Sequence, residues 1–217
     1  MTNPVIDNIR RSLGRTARAP LRPRPAIYEP RLPESLDSEV DRFLVEIKKL
    51  SGVGQILSPA DIDSALKTLV REQNIRKATV WETHHLRQFG ITEILNSLGV
   101  ALSPPNSDKY EMAQCDLGVT EADYLLPETG TLVLRSSAEK PRGVSLLPRV
   151  HLAVVRPEML RADMHQVFAE AKDSHYLVFI TGPSRTADIE LTVTLGVHGP
   201  RNLHVWLMDT WGRKRMG

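Results

Sequence analysis

The chain has 217 residues, 41% hydrophobic and 25% charged, with a formal net charge of +2. That length suits one well-buried core, the composition excludes a fibrous or globally disordered chain, and near-neutral charge with 5% aromatic content gives no footing for a nucleic-acid binder. A single cysteine, Cys115, rules out an internal disulfide and a cysteine-ligated iron–sulfur cluster within the chain, and the apolar runs are strand-sized, too short for a membrane span.

Val5, Ile6, Ile9 and Leu13 recur at helical spacing, and Gly14 supplies a stop. Arg10, Arg11, Arg15, Arg18, Arg22 and Arg24, with Arg31 beyond them, crowd a segment whose nearby acids are Asp7 and Glu29. From Ala19 to Pro33 prolines prevent a persistent helix or ladder strand. Residues 1–34 are therefore expected to form a short helix and an extended basic arm, and residues 35–217 one domain. Such an arm is first a solvated segment and second a contact for phosphates or an acidic partner. The N-terminus lacks the apolar stretch of a secretory signal, so a cytoplasmic setting is expected.

After Ser35, the spacing of Val40, Phe43, Leu44, Ile47 and Leu50 predicts an amphipathic helix ended by Gly52. A strand at Gln55–Leu57, a helix from Ser58-Pro59 past Leu69, a strand at Ala78–Trp81, a helix over Leu86–Leu98 and a strand at Val100–Leu102 follow. This alternation predicts an open, mostly parallel α/β sheet. The middle differs: strands around Asp116–Thr120 and Ala122–Leu126 precede the turn Pro127-Glu128-Thr129-Gly130 and the β-rich Thr131–Leu134. Then come a strand at Leu152–Val155, a helix from Pro157 to Lys172, a strand at Tyr176–Thr181, a helix after Ser184 and a strand at Leu203–Met208.

Two segments carry candidate chemistry. Leu177–Ile180 reads as a buried strand broken by Gly182-Pro183, with Ser184 as a helix N-cap and Asp188 and Glu190 in the first turns. Free amides at such a helix start, with Ser184, Arg185 and Thr186, would hold a carboxylate or phosphate; equally, Ser184 caps the helix and Arg185 pairs with Asp188 without any ligand. Glu128-Thr129-Gly130-Thr131 places a carboxylate on a tight turn beside two hydroxyls, where it can serve as a general base or nucleophile. The plainer alternative is a surface hairpin turn. Asp116 and Asp123 are weaker candidates for positioning a cation or water. His198, in Gly196-Val197-His198-Gly199-Pro200, is either a site residue or an exposed turn imidazole, and His151 is a lesser candidate of the same kind. No histidine spacing or cysteine set suggests a metal site.

Asp116-Leu117-Gly118-Val119-Thr120-Glu121-Ala122-Asp123, then Glu128-Thr129-Gly130-Thr131, then Thr181–Glu190 with Gly196–Pro200 together resemble the signature of the lactate utilization protein C family, or LUD domain family. The resemblance spans roughly Ser35 to Asp209; Pro127 stands where the family pattern has a small residue. It implies a fold similar to the NagB/RpiA/CoA transferase group, with helices on both faces of the sheet. It also implies a part in oxidising L-lactate to pyruvate beside two partner proteins that carry iron–sulfur centres. On this reading a small anionic ligand sits between the Ser184 loop and the Glu128 turn, with Thr129, Gly130, Thr131, Gly182, Asp188 and His198 around it. Two other expectations stand beside it: a non-catalytic assembly subunit docking through its arm, and an enzyme acting on an acyl or sugar-phosphate substrate.

Overall fold

The computed structural model describes residues 4–15, 29–186 and 194–210. The chain divides into two units, Met1–Pro30 and Arg31–Gly217. In the first, α1 (Pro4–Ser12) buries none of its residues.

In the second unit, α2 (Leu36–Lys49) starts at Ser35, whose side chain accepts the Ser38 amide, and buries Val40, Phe43 and Ile47. Six strands then build a wholly parallel sheet: β1 (Val53–Leu57), β2 (Lys77–Val80), β3 (Ala101–Ser103), β4 (Leu117–Glu121), β7 (Val150–Val155) and β11 (Asn202–Met208), in the order β1-β11-β7-β4-β2-β3. Their inner strands are mostly apolar, as expected where both faces are covered; every residue of β7 is buried. The crossovers from β1 to β2 and β2 to β3 run in one direction and carry α3 (Ile62–Glu72), α4 (His84–Gln88) and α5 (Ile91–Ser97). Those from β3 to β4 and β4 to β7 run the other way and carry α6 (Lys109–Ala113) and α7 (Gly143–Leu146). Right-handed crossovers put the two groups on opposite faces. Since the chain leaves adjacent β2 and β4 in opposite directions, a crevice opens over their carboxyl ends.

Between β4 and β7 the chain adds β5 (Tyr124–Leu126) and β6 (Thr131–Arg135), an antiparallel hairpin joined by the Glu128–Gly130 turn as expected. β8 (Leu177–Ile180), reached through α8 (Met164–Glu170), pairs antiparallel with β6 and completes a separate three-stranded sheet.

Several expected elements take other forms. The helix over Leu86–Leu98 is two helices, because Gly90 adopts φ +64° between them. The helix expected from Pro157 is a short 3-10 turn, Pro157–Met159, followed by α8, which starts only where the Asp163 side chain accepts the His165 and Gln166 amides. No helix starts at Ser184: Arg185–Thr186 is strand β9, antiparallel to β10 (Thr194–Leu195). His151 lies inside β7, fully buried and hydrogen-bonded through Nε2 to Thr120 Oγ1 at 2.8 Å. Burial, with a smaller push from His204, lowers its pKa to about 3, so it stays neutral at physiological pH.

Candidate functional site

The last turn of α2 organises both sequence motifs. Gly130 (φ +59°) lies so close to it that a Cβ would stand 2.8 Å from the Ile47 nitrogen; at Gly182 (φ +83°) a Cβ would stand 2.9 Å from Leu50 Cβ. A side chain at either position would push its loop off the helix and strain the backbone, which is the physical reason for glycine there. The two loops are also joined by hydroxyls: Thr131 Oγ1 is 2.8 Å from both Thr129 Oγ1 and Thr181 Oγ1.

This chain of hydroxyls lines a cavity of about 490 Å³ together with Glu128, a volume suited to a ligand of cofactor size. Leu126, Met164 and Phe179 give it an apolar wall, and Asp163 and His165 face it from the start of α8. Phe168 extends the apolar surface, its ring 5.9 Å from that of Phe179. Burial alone would raise the Asp163 pKa, but the amides of Arg31, Gln166 and His165 outweigh it and hold the carboxyl below its ordinary value. A ligand here therefore meets an ionised Asp163, with the Glu128 side chain beside it. The hydroxyl or amide donors of a ligand suit that polarity.

The cavity gathers Glu128, Thr129 and Thr131, with Gly130 shaping their turn, but none of Gly182, Ser184, Arg185, Thr186 or His198 lines it. Asp188 lies outside the described residues. Ser184 instead joins the bend that carries His198: its amide donates to Pro200 O at 2.9 Å, and its carbonyl accepts the Gly196 amide at 3.0 Å. The Arg185 guanidinium donates to the Leu50 carbonyl at the end of α2, where a cation complements the helix dipole. The helix start expected at Ser184–Thr186 is thus replaced by a β-ladder and a cap on α2. Arg185→Ala is expected to lower stability by about 0.5–1 kcal/mol, read as a small fall in the urea midpoint.

The sequence reading missed Thr181, Asp163, His165 and Phe179. The spacing Asp163-x-x-Gln166, an N-cap signal ahead of an apolar residue, was the available clue to the start of α8. Asp123 does position a lysine, accepting Lys140 Nζ at 2.9 Å. Asp116 takes the amides of Arg76 and Lys77 and the Arg149 Nε, a structural role at the opposite, amino end of the strands. Cys115 is buried, which raises its thiol pKa. Among the described residues no cluster of three His, Cys, Asp or Glu side chains is placed to hold a metal ion, and no helix is long and apolar enough to cross a membrane.

A sequence profile of the LUD domain matches residues 58–208. Lactate utilization protein C of Halalkalibacterium halodurans is 35% identical over 150 residues, covering 64% of this chain and 65% of that protein. The Shouchella clausii protein of the same name is 33% identical over 149 residues, with coverage of 64% and 65%. These matches span just under two thirds of the relatives' own length. Among solved structures, a DUF162 family protein from Deinococcus radiodurans superposes with a TM-score of 0.61 at 21% identity, covering 81% of this chain and 99% of that one.

Proposed function

Because the chain belongs to the LUD domain family, we propose that it is a component of an L-lactate utilization system, contributing to the oxidation of lactate to pyruvate. Relatives called lactate utilization protein C support the reading. The observation that carries the site is the convergence of Glu128 and the Thr129–Thr131–Thr181 hydroxyls on one apolar-walled cavity. Glu128 is the candidate base and the hydroxyls orient the ligand. Converting lactate to pyruvate removes two protons and two electrons. One buried thiol cannot form a disulfide or supply the ligand set of an iron–sulfur cluster, so the electrons leave through another cofactor or a partner protein, and the family resemblance points to partners that carry iron–sulfur centres.

Lactate-dependent dye reduction by this chain, by the partners and by the mixture tests the proposal. Turnover is expected only in the mixture, and Glu128→Gln should lower its rate by about 10² or more. Full activity without this chain would remove it from the system. An unchanged rate in the variant would remove Glu128 from the chemistry.

One observation favours a second reading, an assembly subunit. Val5, Ile6 and Ile9 of α1 are all about half exposed or more, as is Leu13 just beyond it, an apolar face flanked by Arg10, Arg11 and Arg15. Co-purification with the partners that survives deletion of residues 1–30 would dismiss it.

A further inference from the structure

A second cleft, of about 440 Å³, lies over the crevice between the carboxyl ends of β2 and β4. Arg135, Lys140, Arg156 and Arg161 line it against the carboxylates Glu121, Asp123 and Glu170. These four cations face three carboxylates of the lining, and a fourth acid, Glu158, pairs with Arg156 from outside it. That near-even balance suits a compact carboxylate that also offers a donor to the acids, and it disfavours a polyphosphate, which would crowd its charge against the carboxylates.

The cations are held in place. Glu170 receives Arg161 through two bonds of 2.7 and 2.8 Å. The Tyr124 ring has the Arg135 and Arg161 guanidiniums 5.0 and 5.3 Å from its centre. Asp123 anchors Lys140, which also lies 5.6 Å from the Trp81 ring centre. Arg156, just past the end of β7, bonds through Nη1 to the half-exposed Glu158 at 3.0 Å. It is the cation least committed to the buried network, and the rim pair that holds it exchanges readily with solvent.

Glu121, at the end of β4, supplies the other half of the site. Its Oε1 accepts Thr83 Oγ1 at 2.6 Å and lies 3.6 Å from His85 Nδ1, and among the described residues Oε2 is left to accept from a ligand. Glu121 and Arg156 also line a small separate pocket with Phe89, Ala122 and Val154. We propose that this cleft binds a small carboxylate bearing a hydrogen-bond donor on the adjacent carbon, a 2-hydroxy or 2-amino acid. Its carboxylate is held by Arg156 and Lys140, and its donor is received by Glu121. A 2-keto acid lacks that donor and presents a carbonyl oxygen to the Glu121 carboxylate, so the site discriminates against it. The proposal stands on the side chains of the cleft and is independent of the Glu128 cavity and of the lactate reading.

Isothermal titration of the full chain with L-lactate, L-alanine, pyruvate and inorganic phosphate tests it. Either L-lactate or L-alanine is expected to bind at least about tenfold tighter than pyruvate or phosphate, and the choice between them identifies the donor. Arg156→Gln should weaken that binding about tenfold or more, with the thermal midpoint little changed because its ion-pair partner Glu158 is half exposed. Glu121→Gln should narrow the preference over pyruvate. Absence of binding by all four probes, equal binding of pyruvate, or undiminished binding by both Arg156→Gln and Lys140→Gln would overturn the proposal. Because no partner protein is present, this outcome is separable from failure of the reconstituted lactate assay.

Discussion

Gly118→Ala is expected to destabilise the fold by about 3 kcal/mol or more, lowering the urea midpoint sharply or leaving the protein insoluble. A Cβ at this position would stand 1.9 Å from the Val144 carbonyl oxygen and 3.0 Å from Pro148 Cγ. The first of these neighbours is backbone of α7, so relief requires moving the helix away from β4. The φ of Gly118 is not in the left-handed region, so the whole cost is steric. Gly99 is the converse case, with φ +74° and no atom within 4 Å of its would-be Cβ. Gly99→Ala should therefore cost only about 1 kcal/mol from backbone strain. A comparable loss in both variants would show that close packing of α7 on β4 is not what Gly118 provides.

Much of the fold was legible because its signals are local. The apolar runs at Leu152–Val155 and Leu203–Met208 are buried strands of the parallel sheet, and the Glu128–Gly130 turn joins a hairpin as its composition demands. Ser184 shows the limit. An N-cap residue followed by acids is a sound helix signal, yet Arg185–Thr186 gains an antiparallel partner in Thr194–Leu195 and a contact with α2. Tertiary pairing of this kind overrides local preference. The short helices α6 and α7 escaped notice because four or five residues carry too little periodicity to register. The charged cleft was illegible for another reason: its cations and acids come from positions 83 to 170, with no shared motif, and only the sheet topology brings them together. The Glu128 cavity lies between, since its turn was readable but its α8 wall was not.

Sequence position alone puts Arg31 with the basic arm, but it belongs to the folded unit. Its guanidinium makes two 2.7 Å bonds to the carboxylate of Glu39, on the first turn of α2, and also donates to Ala162 O, while its amide donates to Asp163 Oδ2 at 2.6 Å. The pair thereby ties α2 to the N-cap of α8, which forms one wall of the Glu128 cavity. Glu39 is 4% exposed, so removing its charge leaves a largely desolvated guanidinium without its counter-ion. Glu39→Gln should cost about 2–3 kcal/mol, below the 3–5 of a fully buried pair because Arg31 retains some solvent contact. The hydrogen bond from Arg31, opposed by burial, holds the Glu39 carboxyl below its ordinary value of 4.5. A lowered folded-state pKa makes this contribution complete above about pH 4.5, and it is lost as pH falls through the folded value. The stability gap between wild type and Glu39→Gln should consequently be widest near neutral pH and shrink in acid, measured by urea unfolding at pH 6.5 and at about pH 3.5. The double variant Arg31→Met/Glu39→Leu should recover part of the loss, since both charges leave together. A gap that widens in acid, or a double variant no more stable than Glu39→Gln, would mean that the ion pair is not what fastens α2 to the cavity wall.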